Sequence, residues 1–233
     1  MDRSLLIDNV PVSEYDLYYE SLPIIPTPER DVEYVTIRGR QDGQLTKKYG
    51  YLNIEYPINL YFYENDSFRK VYRQSKHHLL NAKTISFADD EDVFYKVKSV
   101  QIDDADSNIF KIGMFAVTFT LDPFQYEANN DPVIITESTT ITNDGYDSLP
   151  IINAEISGNG RIYINGDEIV IKDTNGSITI DSEQQNAYRK GSPPQNMNSR
   201  MVGQFPILKS GDNTISFNGD ISKLEVTPNF RWR

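Results

Sequence analysis

The chain has 233 residues, of which 38% are hydrophobic, 12% aromatic and 24% charged, with no cysteine and a formal net charge of -11. That composition belongs to a folded, soluble protein rather than a disordered one, and it excludes disulfides, thiolate catalysis, Fe–S clusters and cysteine-held zinc. Residues 1–128 carry -7 and residues 129–233 carry -4, so neither half has the basic surplus that phosphate neutralisation or an anionic membrane surface needs.

In chain order, "SLLIDNVPV" (4–12) predicts a first strand and turn, and "YVTIRGRQDGQLT" (34–46) two strand-like runs around a glycine-containing loop. "YLNIEYPINLYFYEND" (51–66) has period two, placing Leu52, Ile54, Tyr56, Ile58, Leu60 and Phe62 on one face of a long half-buried strand. Pro57 inside it predicts an edge position or a break, because proline cannot donate to a ladder. "NDSFRKVYRQSKHHLLN" (65–81) is the one convincing helix, with Asp66 or Ser67 as N-cap. Its apolar stripe is Phe68, Val71, Tyr72 and Leu79, broadened by Leu80. "KTISFADD" and "VFYKVKSVQID" come next as strands, with Asp89–Asp92 as the turn between them. "GMFAVTFTL" reads as a buried strand that Asp122-Pro123 stops, and Phe124 and Tyr126 pack the exit before "EANNDP" crosses to a second half.

Beyond residue 128 the texture changes: 12 of the 15 tyrosines lie before it. The second half is rich in Ile, Thr, Asn and Gly. Asn165-Gly166 in "RIYINGDEIVI" is a strong hairpin signal, and Asn175-Gly176 in "IVIKDTNGSITID" reads as a second one. "SEQQNAYRKGSPPQNMNSR" (182–200) reads as a long polar loop, and "GQFPIL", "NTISF" and "KLEVTPNFRW" as short strands. Short strands without a helix predict a β-sandwich or jelly roll. The expected fold is therefore mainly β: an α+β domain over 1–128 with an antiparallel sheet and one helix, then an all-β domain over 129–233.

No motif nominates chemistry. His77 and His78 are adjacent on the helix, about 100° apart, and cannot act as a pair of metal ligands. Asp103, Asp104 and Asp106 resemble part of a calcium loop, but Asn108 and Met114 stand where the loop needs glycine and glutamate. The expectation is no enzyme, no metal and no cofactor. The N-terminus has no apolar run long enough for a signal peptide and no 18-residue apolar run exists, so membrane insertion is not expected; the absence of cysteine leads to the expectation of synthesis in a reducing cytoplasm. Arg38 and Arg40, flanking Gly39 in an acidic half, are the candidate residues for a subunit contact with carboxylates. A lectin-like reading would instead need a groove in the second half lined by Trp232 or Tyr163, with Asn, Arg and Glu nearby; Tyr146 and Tyr188 are the other aromatics on offer. A hydrolase would need two facing carboxylates in a pocket.

"ERDVEYVTIRGRQDGQL" (29–45), the helix with "TISFADDEDVFYKVKSVQID" (84–103) after it, "FAVTFTLDPFQYE" (115–127), "TNDGYDSLPIINAEISGNGRIYING" (142–166) and "ISKLEVTPNFRWR" (221–233) together resemble the distal tail protein (Dit) family of long-tailed phages and prophages of Gram-positive bacteria. The similarity spans nearly the whole chain in the right order. It implies a virion structural protein at the tail tip. Six N-terminal domains would close into a ring joining the tail tube protein to the tail-tip protein. Galectin-like C-terminal sandwiches would project outward, and in some relatives such domains hold receptor-binding proteins. DNA would pass the channel without specific binding, discouraged from sticking by six copies with a formal -66. Longer relatives carry inserted carbohydrate-binding modules. This chain has no room for one, which disfavours host-sugar binding and leaves a lectin-like adhesion module as the alternative.

Overall fold

The computed structural model describes residues 4–19, 21, 24, 26–63, 67–107 and 112–233. It is mainly β and divides into two compact units, Met1–Ala128 with Arg233, and Asn129–Trp232.

The first unit contains β1 (Leu5–Ile7), β2 (Val10–Pro11), β3 (Tyr18–Tyr19), β4 (Arg30–Val35), β5 (Leu45–Tyr51), β6 (Ile54–Tyr63), α1 (Phe68–Leu80), β7 (Thr84–Phe87), β8 (Asp90–Ile102), β9 (Asp106–Ser107) and β10 (Ile112–Glu127). Its main sheet is antiparallel, in the order β2-β1-β7-β8-β10-β6-β3, with β9 also on β10. Along β6 the alternation is strict: Ile54, Tyr56, Ile58, Leu60 and Phe62 are buried while Glu55, Pro57 and Asn59 face out. Leu52 does not belong to this face. It precedes the strand, is exposed, and its N–H is taken by the Glu29 carbonyl at 2.9 Å. β6 runs unbroken through Pro57. It pairs with β10 along its length and on the other side, among the described residues, only with two-residue β3, so Pro57 lies at an edge where a missing N–H costs nothing.

Helix α1 lays Phe68, Val71, Tyr72 and Leu79 against the core. Leu80 is exposed, because the residue after Leu79 is rotated to the wet side. Ser67 is the N-cap and accepts backbone bonds from Lys70 and Val71 through its carbonyl; its side chain makes no capping bond. Asp66 lies outside the described residues. The acidic run is not a turn: Asp90–Asp92 already belong to β8, leaving Ala88 and Asp89 to turn the hairpin.

Asp122-Pro123 does not stop its strand either. β10 continues to Glu127, and its register on β8 jumps from Leu121–Val97 to Gln125–Tyr95. The intervening residues form a bulge, where proline's missing N–H breaks no ladder bond. The buried Asp122 carboxylate holds the bulge together. It accepts bonds from the Phe124 N–H at 3.2 Å and the Tyr126 hydroxyl at 3.0 Å, and pairs with the Lys98 ammonium at 3.1 Å.

Two tyrosines inside this core tie its stability to pH. Burial, with Asp90 adding, pushes the Tyr95 hydroxyl up to about 12. Burial, with Tyr95 adding, also raises Tyr56, whose hydroxyl has no hydrogen-bond partner among the described residues. In the unfolded chain both ionise near pH 10. The folded state holds protons that the unfolded state releases, so the contribution of these two tyrosines is fully present below about pH 10 and is lost between about 10 and 12. The denaturation midpoint is expected to drop between about pH 9.5 and 11.5, and to drop less in Tyr95→Phe. An identical pH slope in both proteins would refute this cause.

The second unit contains β11 (Val133–Ile135), β12 (Ser138–Asn143), β13 (Ile151–Ile164), β14 (Asp167–Asp181), β15 (Asn186–Arg189), β16 (Gln195–Asn196), β17 (Met201–Val202) and β18 (Gly211–Thr227). Asn165 and Gly166 both take positive φ, 53° and 91°, and join β13 to β14 as a two-residue turn. Asn175-Gly176 is no turn: β14 passes through it, pairing Asn175 with Ser157 and Gly176 with Ile156. Arg189 secures this stretch by donating to the Asn175 and Ser177 carbonyls at 2.7 and 3.1 Å. "NTISF" and the start of "KLEVTPNFRW" are likewise one strand, β18.

The short strands expected from turn signals are thus long strands that bend. Near the bends, Gly160 stands opposite Gly219, and a Cβ on Gly219 (φ +83°) would lie 2.6 Å from the Asn159 carbonyl oxygen. Each long strand contributes to two layers around one core. Ile162, Ile164, Ile169, Ile171 and Ile215 come from one half of the strands, and Ile152, Ile156, Ile178, Ile180 and Leu224 from the other. The stretch 182–200 is only partly loop, since β15 and β16 extend the sheet within it. "GQFPIL" forms no strand; Pro206 lacks a donor, and the segment is tied down by reciprocal bonds between Leu208 and Ser148.

Candidate functional site

Strands β4 and β5 stand apart from the main sheet as a two-stranded ladder, pairing Val32 with Lys48, Tyr34 with Thr46 and Val35 with Leu45. β-Branched and aromatic residues favour the strands. At the tip the Arg40 N–H returns to the Ile37 carbonyl at 3.3 Å, and Gly39, the third residue of that turn, takes φ +83°. Glycine suits the left-handed third position of a type II turn. Cross-strand bonds complete the hairpin: Tyr49 donates to Glu33 at 2.6 Å, Lys47 pairs with Glu33 at 3.7 Å, and Gln44 donates to Thr36 at 2.8 Å. The Glu33 bond raises the Tyr49 pKa, with burial and Asp31 adding.

The hairpin is unusual in what it leaves uncovered. Tyr34 is 65% exposed, Tyr49 52%, Ile37 48% and Leu45 39%, large values for residues that normally anchor a sheet to a core. The register puts Val32 and Tyr34 on one face, and Val35 and Leu45 on the other. A two-stranded hairpin is marginal in water without a packed face. Arg38 and Arg40 are exposed at the tip and have no ion-pair partner among the described residues. Charge is also polarised. Residues 30–51 hold five Lys and Arg against three Asp and Glu, whereas the rest of 1–128 holds nine against 18. The arm is net positive on a negative body.

The other candidates from the sequence are scattered. His78 stacks on Tyr15 at 4.2 Å between ring centroids, while its neighbour His77 meets it edge-on at 5.8 Å. Asp103 and Asp104 are exposed, and the Asp103 backbone is used structurally, accepting from the Tyr72 hydroxyl at 2.7 Å. Among the described residues no group of three His, Asp or Glu is placed to hold a metal, and no helix is long and apolar enough to cross a membrane.

The tyrosines of the second unit sit apart from one another: Tyr163 on β13, Tyr188 on β15, and Tyr146 before β13 with its N–H bonded to the Arg231 carbonyl. Tyr163 does have the expected company. Its hydroxyl donates to Glu168 at 3.2 Å and accepts from the Asn218 amide at 3.3 Å, and Glu168 pairs with Arg161 at 3.4 Å. The sequence singles out Tyr163 but not these particular partners. The Asn165-Gly166 turn could have supplied Glu168, since it fixes Tyr163 opposite Glu168, whereas Asn218 comes from β18 and no local signal places it.

No protein-family model matches the sequence, and no curated protein matches it. Among solved structures, the chain is similar to one described as "Crystal Structure of SPP1 Dit (gp 19.1) Protein, a Paradigm of Hub Adsorption Apparatus in Gram-positive Infecting Phages", with a TM-score of 0.67 at 13% identity over 100% of both chains. At that identity the likeness is one of fold, and it extends over the full length of each protein.

Proposed function

We propose that this chain is a structural component of a phage tail tip, a hub in which six copies close into a ring through their first units. The observation that carries the reading is the β4–β5 hairpin. A solvent-exposed arm with apolar side chains on both faces, and with two arginines at its tip that have no ion-pair partner among the described residues, suits a contact with a second copy. The full-length fold likeness to a hub protein agrees with this. A cyclic ring needs head-to-tail contacts, in which one patch meets a different patch of the next copy. A positive arm on a negative body satisfies that requirement, and the exposed Asp89–Asp92 segment is a candidate receiver for Arg38 and Arg40.

In this reading the ring sits in the virion between the tail tube protein and the tail-tip protein. The second units stand outward as anchor points for a receptor-binding protein, and DNA passes the channel without specific contacts. The chain acts by holding partners in register and performs no catalysis. Light scattering and negative-stain imaging of Arg38→Glu and Arg40→Glu, at matched concentration and low salt, test the arm. Reversing a buried interfacial charge costs about 2–5 kcal/mol per contact, repeated around the ring. The parent is expected to form six-membered rings, and each variant to remain monomeric with an unchanged circular-dichroism spectrum. Rings formed as readily by both variants would remove this loop from the contact.

A further inference from the structure

The outer face of the bent sheet in the second unit carries an open groove of about 410 Å³. Asn159, Arg161, Val170, Lys172 and Asn218 line it, and Gly160 and Gly219 leave bare backbone between them. Register explains the convergence. Arg161 stands opposite Val170 on β14 and opposite Asn218 on β18, so three neighbouring strands each point a side chain to the same side. Beside it lie Tyr163 and Glu168, already bonded to Asn218 and Arg161.

What distinguishes this face from an ordinary solvated one is the division between used and unused polar groups. Tyr163, Glu168, Asn218 and Arg161 restrain one another, which fixes the positions of the groove's walls. The Asn159 backbone N–H is bonded to Asp220 at 2.9 Å and its side-chain oxygen accepts from the Asp173 N–H at 3.0 Å. The Asn159 side-chain NH₂ makes no hydrogen bond among the described residues. The Asn218 side-chain oxygen and the Lys172 ammonium have no partner among the described residues. Two amides and two cationic donors therefore surround the groove, with a tyrosine ring at the margin.

We infer that this groove binds a short oligosaccharide. Adjacent sugar hydroxyls each offer a donor and an acceptor, which is what planar amides and a guanidinium match in pairs. The apolar C–H face of a pyranose suits Val170 and the Tyr163 ring. The site belongs to the sheet itself and needs no inserted module, so the short length of the chain does not count against it.

The test is an NMR and calorimetric titration of the full 233-residue chain with three probes: cellotetraose, chitotetraose and tetragalacturonate. These separate neutral, N-acetylated and anionic sugars. At least one is expected to shift the backbone resonances of residues 159–172 and 216–219 at millimolar concentration. Arg161→Ala combined with Lys172→Ala is expected to weaken that probe by about tenfold or more, the loss of about 1.4 kcal/mol, while the thermal midpoint stays at the parent value. Both side chains are exposed, so the double variant keeps its core. The inference is overturned if none of the three probes moves those resonances. It is also overturned if the shifts persist undiminished in a folded double variant, or if they spread evenly over the second unit. None of these outcomes depends on ring formation, which the Arg38 and Arg40 variants address separately.

Discussion

Asn213→Ala is expected to lower the unfolding free energy of the second unit by about 3 kcal/mol. The side chain is fully buried at the start of β18 and connects four segments. Its amide donates to the Lys209 and Gly211 carbonyls at 2.8 and 2.9 Å, and more weakly to that of Ile141 at 3.4 Å. Its oxygen accepts from the Lys209 N–H and the Asn165 side chain, both at 2.8 Å. The Asn165 side-chain oxygen in turn accepts from the Thr214 N–H at 3.0 Å, so the β13–β14 turn is bonded to β18 at Thr214 as well as at Asn213. Alanine strands several buried polar groups at once, and an unmade bond in the interior costs more than a made one contributes. Asn213→Asp keeps the acceptor and removes the donors, placing a carboxylate against carbonyl oxygens, and is expected to do at least as much damage. Urea denaturation of the full chain with circular-dichroism detection reads both. A loss below about 1 kcal/mol in both variants would show that the network rearranges at little cost.

Gly113→Val is expected to destabilise the first unit by about 3 kcal/mol. Gly113 on β10 faces Phe62 on β6, and a Cβ there would fall 2.3 Å from the ring. The ring cannot step aside. Phe62 is fully buried and packed against Phe68 and Phe115, with ring centroids 5.2 and 6.2 Å away. The required space is one phenyl ring wide, so Phe62→Leu should relieve part of the clash. The double variant is expected to be more stable than the sum of the two single losses allows, a coupling measurable by a double-mutant cycle. Strict additivity would mean that the contact is not the cause.

How far the sequence could be read depends on whether a local signal had a long-range competitor. The alternation of β6 needed only its own residues, and the buried set from Ile54 to Phe62 comes from it directly. Asn165-Gly166 and Asn175-Gly176 are the same dipeptide with opposite outcomes. The first has nothing to continue into, whereas the second is overruled by β13 pairing on one side and Arg189 holding its carbonyls on the other. Asp122-Pro123 failed as a stop for a similar reason: Lys98, Phe124 and Tyr126 supply the bonds that make a bulge cheaper than an end. Strand bending is what made long strands look like several short ones. For the candidate site, the Arg38-Gly39-Arg40 loop was visible because its glycine and its charge stand out locally. The uncovered faces of its hairpin were not visible, since exposure is a property of what fails to pack. The groove residues were individually visible but unconnected until three strands were brought into register.

The bent strand β18 also sets an order on biosynthesis. It lies in the middle of its sheet, between β13 on one side and β11 and β12 on the other, yet it is later in the chain than all of them. Val133 must therefore wait for Val226, and Thr140 for Thr214, before either finds its neighbour. A ribosome-bound chain can close the local β13–β14 hairpin early, but β11 and β12, with Ile135 and Ile141, stay unpaired until residues 211–227 emerge. Such a domain assembles late and all at once, because non-local pairing must bear its loop-closure entropy before contacts reward it. Nascent chains stalled before Gly211 should accordingly be captured by holdase chaperones, and chains stalled well beyond Thr227 should escape them.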